Sequence, residues 1–573
     1  MRSIFQMGIP VSGKNLFPSN IAGLPTWFTI RANKDGWIAR RKEIDLLIAM
    51  NPETAREDIL GAEPNTVVVY EDTLKLEMIR KDLVFFPVPF AKLATAITPD
   101  SRLRKLLANM IYDGVVAHRL NIDAAEMETA LTKQFKGKAK AVALNKQALD
   151  VGRKYAQDNF DASLVPIKCE RMNGTAGKII IDGNAASALG CMFAGATVAT
   201  WYPITPSSSL CESLIDYMHD YRVGHDGKMT FAIVQAEDEL AAVGMAIGAG
   251  WAGARALTST AGPGISLMQE FIGLAYYAEV PVVIFDVTRV GPSTGLPTRT
   301  QQSDILSIYF CSHGDTKHIM LIPNGMSECF DFAIDAFDLT ERFQTPVFVM
   351  TDLDLGMNNW MSDPFKYPTK KIDRGKVLTA EDLDKLGSFK RYADVDGDGI
   401  GWRTLPGTSH PAAAYFTRGS GHNERAVYSE KPEDYKNNMD RLTKKFDTAR
   451  NAVPKPEVDN VKGAKIGYLA FGTTHWAIIE SRDQLKKEYN VDISYFRLRA
   501  LPFNQELIEF FKNHDRVYVV EQNRDAQMGM LIKVELPAEM VVKVRSIVHY
   551  NGIPLDARSV TDALIAAEKG EQK

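Results

Sequence analysis

The fold of this 573-residue chain is decided by GNAASALGCMFAGATVATWYPITPSSSL, residues 183–210. The first part has the composition of a helix, and ATVATW that of a short strand. YPITPSSS then predicts a turn between two prolines that opens the next helix. Hydroxyl groups and the free N–H groups of a helix start are thus expected at the carboxyl end of a strand, where parallel sheets bind ligands. Plain helix capping by serine and threonine is the alternative explanation of these residues.

The same rhythm continues on both sides of this stretch. Apolar runs that predict strands alternate with helix-length segments; they lie at 178–182, 197–201, 231–235, 254–259, 280–287, 318–323 and 346–351. Repeated strand–helix units predict a largely parallel sheet that is covered by helices on both faces. We therefore expect an α/β domain over residues 178–357.

Three further parts complete the predicted α/β, doubly wound organisation. Residues 1–168 are expected to form an α/β domain with strands at 44–50, 65–70 and 83–87 and a helical tail from 101 to 157. Residues 358–456 lose the apolar runs and predict an irregular insertion. In residues 463–573, strands at 465–471, 492–498 and 515–521 predict a smaller doubly wound domain.

The overall composition excludes some classes of partner. Lys and Arg number 67 against 71 Asp and Glu, so the net charge of -4 gives no electrostatic reason to expect nucleic acid or a membrane surface as a partner. The amino terminus has no continuous apolar segment of a secretory signal, and the longest apolar runs are too short to span a bilayer. These features predict a cytoplasmic protein.

The cysteines give no iron–sulfur motif. They stand far apart and form no C-x-x-C pair; they are Cys169, Cys191, Cys211, Cys311 and Cys329. A cluster usually needs about four thiolates, several of them close in sequence. We expect no cluster in this chain, and each cysteine is predicted to be a small buried apolar residue.

Acidic residues and glycines mark the next two strand-to-helix junctions. Glu237, Asp238 and Glu239 follow a predicted strand, where the positive end of the helix dipole alone would favour acids. Gly262 and Gly264 bracket a proline at the junction after that, in an ordinary turn signal on the same rim of the sheet.

Several of these motifs, taken in order, resemble one family. They are YPITPS (202–207), AEDELAA (236–242), MAIGAG (245–250), STAGPG (259–264), VPVVIFDVTR (280–289) and VVEQN (519–523). Together they resemble the alpha subunits of 2-oxoacid:ferredoxin oxidoreductases over essentially the whole chain. The resemblance implies that residues 178–357 are the pyrimidine-binding half of a thiamine diphosphate site. A partner beta subunit then supplies the half that binds the diphosphate and Mg²⁺, together with a 4Fe–4S cluster.

The resemblance also assigns roles to residues. Glu239 matches the carboxyl group that favours the imino tautomer of the aminopyrimidine, whose nitrogen removes the C2 proton of the cofactor; Glu237 is the fallback. Thr205 and Arg289 match the residues that bind the oxoacid end and the carboxylate of the substrate. The remaining predicted cofactor contacts are Pro203, Ile204, Gly262 and Gly264. A surface or interdomain ion pair is the alternative for Arg289.

The amino-terminal segment GIPVSGKNLFPSNIAGLPTW (8–27) resembles the gamma domain of the same enzymes, fused here ahead of alpha. The consecutive glycines usual at its start are reduced to VSGKN, so a nucleotide-type phosphate loop is not assumed. Lys14 is a predicted substrate contact, and Ser12 and Asn51 are predicted coenzyme A contacts. The last domain resembles the transketolase C-terminal domain, in which Glu521 and Asn523 are structural or interface candidates.

The run DVDGDG (394–399) predicts a cation loop. Asp394, Asp396 and Asp398 occupy positions 1, 3 and 5 of an EF-hand-type pattern, with Gly399 at position 6. Position 12 is Leu405, so the loop is incomplete, and we predict a weak Ca²⁺ or Mg²⁺ site against the alternative of an Asp/Gly turn. The similar GDG pattern of thiamine diphosphate sites is rejected because the preceding GSFKRYADV is polar and not a buried strand.

The predicted reaction is the coenzyme A-dependent oxidative decarboxylation of a 2-oxoacid, with electrons passing through the partner's cluster to ferredoxin in an (αβ)₂ assembly. It is reversible, and in reverse it fixes CO₂, as in a reductive tricarboxylic acid cycle. The gamma–alpha fusion, the SGKNLFPSNI opening and DVDGDG favour 2-oxoglutarate, which gives succinyl-CoA. Its second carboxylate needs another cation, from Lys14, Arg31, Arg40 or the beta subunit. The alternatives are pyruvate or another 2-oxoacid, and a non-catalytic assembly subunit.

Overall fold

A computed structural model of the chain describes residues 1–18, 24–161 and 167–570. Residues 19–23, which include the end of the SGKNLFPSNI opening, lie outside the described residues. The chain divides into two compact units, Met1–Ile179 and Ile180–Lys573. The finer division into four parts stays a prediction.

The first unit contains a small parallel sheet and a group of helices. Its strands are β1 (Val11–Leu16), β2 (Trp27–Ala32), β3 (Leu46–Ala49), β4 (Val67–Glu71) and β5 (Val84–Val88), and its helices are α1 (Arg2–Gln6), α2 (Ala55–Leu60), α3 (Phe90–Ile97), α4 (Ser101–Arg119), α5 (Ala124–Gln134) and α6 (Ala139–Asn159). Strands β3, β4 and β5 pair in parallel, and β1 pairs with β2 in antiparallel fashion.

Two glycines set the packing of the helical tail. A Cβ atom on Gly114 of α4 would lie 2.1 Å from the carbonyl oxygen of Leu149, and one on Gly152 of α6 would lie 2.0 Å from that of Ile111. The two helices therefore approach each other backbone to backbone. The three predicted strands and the helical tail are confirmed. The β1–β2 pair was not predicted, because most side chains of β2 are exposed and give no apolar alternation.

The second unit begins within β6 (Ile179–Ile181) and carries most of the strands. They are β7 (Val198–Trp201), β8 (Ala232–Gln235), β9 (Ala256–Thr260), β10 (Val282–Thr288), β11 (Ile319–Leu321), β12 (Pro346–Asp352), β13 (Trp360–Ser362), β14 (Glu457–Asp459), β15 (Ile466–Ala470), β16 (Ser494–Arg497), β17 (Ala500–Leu501), β18 (Arg516–Glu521) and β19 (Val544–Val548).

Helices alternate with these strands. They are α7 (Gly183–Phe193), α8 (Ser208–Tyr221), α9 (Glu239–Trp251), α10 (Gly262–Ala278), α11 (Ile305–Tyr309), α12 (Met326–Phe343), α13 (Leu353–Met357), α14 (Ala380–Leu386), α15 (Pro432–Ala449), α16 (Thr474–Tyr489), α17 (Gln505–Asn513), α18 (Gln527–Glu535), α19 (Ala538–Val541) and α20 (Ala557–Glu568).

The larger sheet positions the candidate site. Within the described residues its order is β17-β11-β12-β10-β9-β7-β8, with only the edge strand β17 antiparallel to its neighbour. The central strand β10 is buried along its whole length, because α9 and α10 cover one face and α7, α8 and α12 the other. This arrangement confirms the predicted α/β class. All the carboxyl ends of the parallel strands lie on one rim.

The smaller sheet has the order β14-β16-β15-β18-β19 and is parallel except for β14. Its buried residues, such as Leu469 and Val519, belong to the same apolar core as Ile284 of β10. The two sheets of this unit therefore share one core.

The expectation of an irregular segment over 358–456 is wrong for residues 432–449, which form the 18-residue helix α15. Polar residues dominate its sequence, but Leu442, Phe446 and Ala449 fall on one buried face. Buried Glu279, just after α10, accepts hydrogen bonds from Arg441 and Lys445 of this helix. The apolar face is narrow and the rest of the helix is polar, so the composition of this segment alone did not indicate a helix.

Among the described residues, no helix combines the length and the apolar character that crossing a membrane requires.

Candidate active site

The predicted site residues of the second unit lie on the rim formed by the carboxyl ends of the parallel strands. Thr205 follows β7, Glu239 follows β8, Gly262 follows β9 and Arg289 follows β10. Strands β10, β9, β7 and β8 are neighbours in the sheet, in that order. The parallel topology therefore brings together residues that are more than eighty positions apart in sequence.

Glu239 is the one acid of the AEDEL run that is buried. It is the first residue of α9 and is 8% exposed, whereas Glu237 and Asp238 are exposed. Asp238 caps the helix, since its side chain accepts a hydrogen bond of 2.7 Å from the backbone N–H of Ala241. Within the described part of the chain, no hydrogen-bond donor reaches the Glu239 carboxylate. The burial pattern favours Glu239 over the fallback Glu237.

Gly264 lets the chain close around Glu239. A Cβ atom at this position would lie 2.9 Å from Cγ of Glu239 and 1.9 Å from Oγ1 of Thr260. Any larger residue would displace the glutamate or the threonine. Gly264 is therefore required by space, beyond the ordinary turn signal of Gly-Pro-Gly.

Arg289 and Thr205 are in direct contact. The Nη1 atom of Arg289 donates a hydrogen bond of 2.7 Å to the carbonyl oxygen of Thr205. Burial lowers the pKa of Arg289, and the nearby charges of Asp304 and Glu239 oppose this change. The guanidinium thus lies inside the site, and the alternative of a surface ion pair does not describe it.

Side-chain hydrogen bonds to its carbonyl groups hold the YPITPS turn. Ser207 precedes α8, but its side chain accepts no capping hydrogen bond from that helix; it donates 3.1 Å to the carbonyl oxygen of Ile204. Ser208 donates to the same oxygen at 3.2 Å. Pro203 is exposed and Ile204 and Thr205 are partly exposed on the rim. Plain capping therefore does not account for the serines.

Sequence reasoning missed two acids at this rim. Asp286 lies on β10 and is fully buried, and Asp304 precedes α11. A charged residue inside the apolar run VVIFDVTR was a visible signal for Asp286. The sequence contained no such signal for Asp304, because the position of this residue depends on the fold of the loop between Arg289 and α11.

The predicted contacts of the first unit lie on or after its strands. Ser12 and Lys14 belong to β1 and are 1% and 4% exposed. The hydroxyl of Ser12 donates 2.9 Å to the carbonyl oxygen of Ile38. Asn51 follows β3 and its Oδ1 atom accepts from the N–H of Glu53 at 2.9 Å. These bonds hold the local backbone, and the substrate and coenzyme A roles stay predictions.

Lysine side chains contact all three carboxylates of the DVDGDG loop. Nζ of Lys376 lies 2.7 Å from Asp396 and 2.8 Å from Asp398, and Nζ of Lys444 lies 2.9 Å from Asp394. Among residues 1–18, 24–161 and 167–570, no three His, Cys, Asp or Glu side chains converge to hold a metal ion. The geometry favours lysine counter-ions over the predicted Ca²⁺ or Mg²⁺, and these lysines come from outside the loop.

The remaining candidates have structural surroundings. Glu521 is fully buried and accepts hydrogen bonds from the N–H groups of Met528 and Gly529 at the start of α18. Asn523 donates 3.0 Å to the carbonyl oxygen of Gln302. Four of the five cysteines are buried, and Cys169 is partly exposed.

Family comparisons agree with this geometry. Residues 189–375 match the family model described as pyruvate flavodoxin/ferredoxin oxidoreductase, thiamine diP-bdg, and residues 1–155 match that described as pyruvate ferredoxin/flavodoxin oxidoreductase. The first match contains Thr205, Glu239, Gly264 and Arg289. A thiamine diphosphate-binding domain therefore includes the whole rim.

Individual relatives match the whole chain or a large part of it. The alpha subunit of 2-oxoacid:ferredoxin oxidoreductase 2 from Aeropyrum pernix is 30% identical over 100% of this chain and 95% of its own. The 2-oxoglutarate synthase subunit KorA of Methanocaldococcus jannaschii is 31% identical over 64% of this chain and 94% of its own. A solved 2-oxoglutarate:ferredoxin oxidoreductase from Magnetococcus marinus, with 2-oxoglutarate, coenzyme A and succinyl-CoA bound, is 25% identical. It covers 100% of this chain and 96% of its own, with a TM-score of 0.87. The chain belongs to the alpha subunits of the 2-oxoacid:ferredoxin oxidoreductases, which are thiamine diphosphate-dependent enzymes.

Proposed function

We propose that this chain is the gamma–alpha fused subunit of a 2-oxoglutarate:ferredoxin oxidoreductase. The enzyme converts 2-oxoglutarate and coenzyme A to succinyl-CoA and CO₂, passes the electrons to ferredoxin, and runs reversibly. The observation that carries the proposal is the meeting of Glu239, Thr205 and Arg289 on one rim of a thiamine diphosphate-binding domain.

The rim fits the pyrimidine end of thiamine diphosphate. Glu239 offers a buried carboxylate that no donor of the described chain reaches. The proposed cofactor contacts Gly262 and Gly264 open helix α10, and Gly264 packs closely against the glutamate. When bound, the cofactor supplies the nucleophilic carbon and the electron sink for decarboxylation. Pro203 and Ile204 complete the proposed contact, and the beta subunit holds the diphosphate and Mg²⁺.

Each residue of this chain has a separate task. Glu239 shares a proton with the pyrimidine edge, so that the ring can act as a base. Arg289 presents a planar fork of donors to the carboxylate of the oxoacid, a pairing for which guanidinium is well shaped. The Thr205 hydroxyl hydrogen-bonds the oxoacid end. The retention of all three residues argues against a non-catalytic assembly subunit.

An exposed apolar face beside Glu239 supports a protein partner. On α9 it consists of Leu240, Met245 and Trp251, and on α10 of Leu267, Phe271 and Leu274, all between 36% and 50% exposed. Apolar side chains gathered on two packed helices mark an interaction surface. We assign this face to the beta subunit, which carries the 4Fe–4S cluster, and we expect an (αβ)₂ assembly in the cytoplasm.

Two observations favour 2-oxoglutarate among the oxoacids. The solved Magnetococcus enzyme, which matches the chain over its whole length, binds 2-oxoglutarate, and subunits of 2-oxoglutarate synthases are 31–33% identical. A dicarboxylate needs a second cation besides Arg289. Lys14, Arg31 and Arg40 of the first unit are the candidates in this chain, and Ser12 and Asn51 stay candidates for coenzyme A.

Reconstitution with the beta subunit tests the proposal. The purified pair, loaded with thiamine diphosphate and Mg²⁺, is assayed with 2-oxoglutarate, pyruvate and a branched-chain 2-oxoacid in the presence of coenzyme A and ferredoxin. We expect kcat/KM to be highest for 2-oxoglutarate, with succinyl-CoA as the product. A preference for pyruvate, after which both family models are named, would replace the substrate assignment.

The same assay locates the second cation. If Lys14 binds the distal carboxylate, Lys14→Met raises KM for 2-oxoglutarate on the order of tenfold and leaves KM for pyruvate unchanged. An equal effect on both substrates would assign Lys14 a structural role within β1. Variants of Arg31 and Arg40 would then be tested in the same assay.

A further inference from the structure

Both neighbours of Arg289 are bonded to the far end of the loop that joins β10 to α11. The Thr288 hydroxyl donates a hydrogen bond to the carbonyl oxygen of Gln301. The N–H of Val290 donates one of 3.1 Å to the carbonyl oxygen of Arg299. The backbone at Arg289 is therefore fixed only as well as the returning segment that contains these two acceptors.

The smaller sheet holds this returning segment, which also contains Thr300 and Gln302. The N–H of Thr300 donates 3.1 Å to the carbonyl oxygen of Gly552, in the turn after β19. The N–H of Gln302 donates 2.8 Å to the carbonyl oxygen of Gln522, and the carbonyl oxygen of Gln302 accepts 3.0 Å from Nδ2 of Asn523. Gln522 and Asn523 directly follow β18. Two strand ends of the smaller sheet thus hold a loop of the larger one.

The side chain of Gln302 joins the ends of both sheets. Its Nε2 atom donates 3.1 Å to Oδ2 of Asp352, the last residue of β12, and 3.3 Å to the hydroxyl of Thr473, which precedes α16. Its Oε1 atom accepts 3.1 Å from the hydroxyl of Thr474, and Nε2 of Gln522 donates to both threonine hydroxyls. These five residues form the Gln302 network, and all are buried. A buried network whose members are bonded to one another favours a single arrangement.

Two glycines of the smaller sheet admit these contacts. A Cβ atom on Gly472, just after β15, would lie 2.9 Å from Nε2 of Gln302. One on Gly552 would lie 3.0 Å from Cβ of Arg299 and 3.3 Å from Cγ2 of Val290. The turn after β19 therefore packs against the residue that follows Arg289 as well as against the returning segment.

We propose that the Gln302 network positions Arg289 for the carboxylate of the substrate, so that residues of the smaller sheet determine how well the 2-oxoacid binds. The inference rests on the proposed function, because it takes Arg289 to be the partner of that carboxylate. Gln302 is a positioning residue, since it acts on the substrate through the backbone of Arg289.

The physical reason is the alignment that a charge-assisted pair requires. A guanidinium and a carboxylate pair well only when their planes and donor atoms are aligned. The Nη1 atom of Arg289 is bonded to the carbonyl oxygen of Thr205 at 2.7 Å, but the backbone of Arg289 depends on the returning segment. Glu239 lies on α9, outside this loop. Loosening the network should therefore weaken substrate binding and leave the task of Glu239 unchanged.

Two variants of Thr473 measure the effect of the network. Thr473→Val keeps the shape of the side chain but removes the hydroxyl that joins Gln302, Asp352 and Gln522, whereas Thr473→Ser keeps the hydroxyl. In steady-state kinetics of the reconstituted enzyme, Thr473→Val should raise KM for 2-oxoglutarate about three- to tenfold and change kcat less than about twofold. Thr473→Ser should keep the KM of the unaltered enzyme. Hydrogen–deuterium exchange at C2 of thiamine diphosphate should be normal in both variants.

Gln302→Met removes the hydrogen bonds of the central side chain at nearly constant length, and it should raise KM in the same way. Gln344→Met is the matched control. Gln344 is also buried, and its Nε2 atom donates 2.7 Å to the carbonyl oxygen of Gly401, after α12 and outside the loop of Arg289. This control should unfold more easily than the unaltered chain but should keep its KM.

Amide hydrogen exchange in the isolated chain follows the loop directly and needs neither cofactor nor partner. The N–H groups of Val290, Thr300 and Gln302 are all bonded in the contacts that hold the loop. Their exchange should be about tenfold faster or more in Thr473→Val and Gln302→Met than in Thr473→Ser. Equal exchange in the three variants would show that the network does not hold the loop, and would overturn the inference.

A double variant separates this inference from the proposed function. Added to Arg289→Ala, Gln302→Met should raise KM no further, because the residue that it positions is gone. An unchanged KM in Thr473→Val, or an equal additional rise on the Arg289→Ala background, would contradict the positioning role. Loss of folding in both Thr473→Val and Gln302→Met would assign the network to the fold itself and would also contradict that role. An unchanged KM in Arg289→Ala alone would overturn the assignment of Arg289 instead.

Discussion

Replacing Gly264 by alanine tests how tightly Glu239 is positioned. The backbone of Gly264 is helical, so alanine itself is conformationally allowed there. Its Cβ atom would however lie 1.9 Å from Oγ1 of Thr260 and 2.9 Å from Cγ of Glu239. Both distances are well inside van der Waals contact, so the threonine hydroxyl and the glutamate side chain must move.

The expected magnitudes follow from this overlap. Overpacking a well-packed site costs about 1–3 kcal/mol, and alanine returns about 0.5–1 kcal/mol in the helix. We therefore expect a net loss of about 1–2 kcal/mol in the free energy of unfolding. A displacement of the glutamate by about 1 Å costs on the order of a hundredfold in rate. Since Arg289 is untouched, KM should change little.

Gly61→Ala, at the end of α2 in the first unit, is the matched control, because the added Cβ atom would make only ordinary contacts, 3.7 Å from the carbonyl oxygen of Glu57 and 3.8 Å from that of Asp58. Denaturant unfolding of the isolated chain and steady-state kinetics of the reconstituted enzyme are measured for both variants. The double variant Thr260→Ala/Gly264→Ala removes the threonine contact and should regain stability without regaining kcat. If Gly264→Ala behaves like Gly61→Ala in both assays, the close approach of Gly264 does not position Glu239.

Three other predictions use different parts of the structure. Arg289→Ala should raise KM for the 2-oxoacid tenfold or more in steady-state kinetics, since a charge-assisted pair contributes roughly 1.5–3 kcal/mol. A KM equal to that of the unaltered enzyme would show that Arg289 does not bind the substrate. Glu279→Gln leaves the cations of Arg441 and Lys445 buried together, so it should lower the free energy of unfolding, measured with denaturant, by about 3–5 kcal/mol. The control Glu488→Gln, in the exposed pair with Arg558, should lower it by less than about 1 kcal/mol, and equal losses would contradict the buried cluster. The pKa of Asp304 is raised from 3.8 to about 7, so the unfolded chain loses this proton at lower pH than the folded chain. The free energy of unfolding should therefore fall by up to about 4 kcal/mol between pH 4 and 7. Asp304→Asn should reduce this dependence of the unfolding free energy on pH, and an unchanged dependence would refute the raised pKa.

The central sheet could be predicted because its strands are buried on both faces. Runs such as VVIF of β10 are continuously apolar and separated by helix-length segments, a pattern that favours a parallel sheet. The β1–β2 pair and α15 were not predicted, because β2 exposes most of its side chains and the sequence of α15 is mostly polar. Local sequence patterns carry little information about such elements.

The candidate site followed from topology and resemblance together. Thr205, Glu239 and Arg289 each follow a strand, so a parallel sheet places them on one rim. Asp304 could not be placed, since its contact with Gly262 depends on the path of a loop. The lysines at DVDGDG were missed for a similar reason. Lys376 and Lys444 come from other segments of the chain, so the local spacing of the carboxylates does not predict them.

The most direct test of the account is hydrogen–deuterium exchange at C2 of thiamine diphosphate in the reconstituted enzyme, without any oxoacid. Glu239→Gln keeps the shape of the side chain but cannot share a proton in the same way, so exchange should slow strongly, while Arg289→Ala should exchange at a nearly normal rate. Glu237→Gln, at an exposed position, should behave like the unaltered enzyme. Unchanged exchange in Glu239→Gln together with its loss in Glu237→Gln would contradict the assignment of Glu239.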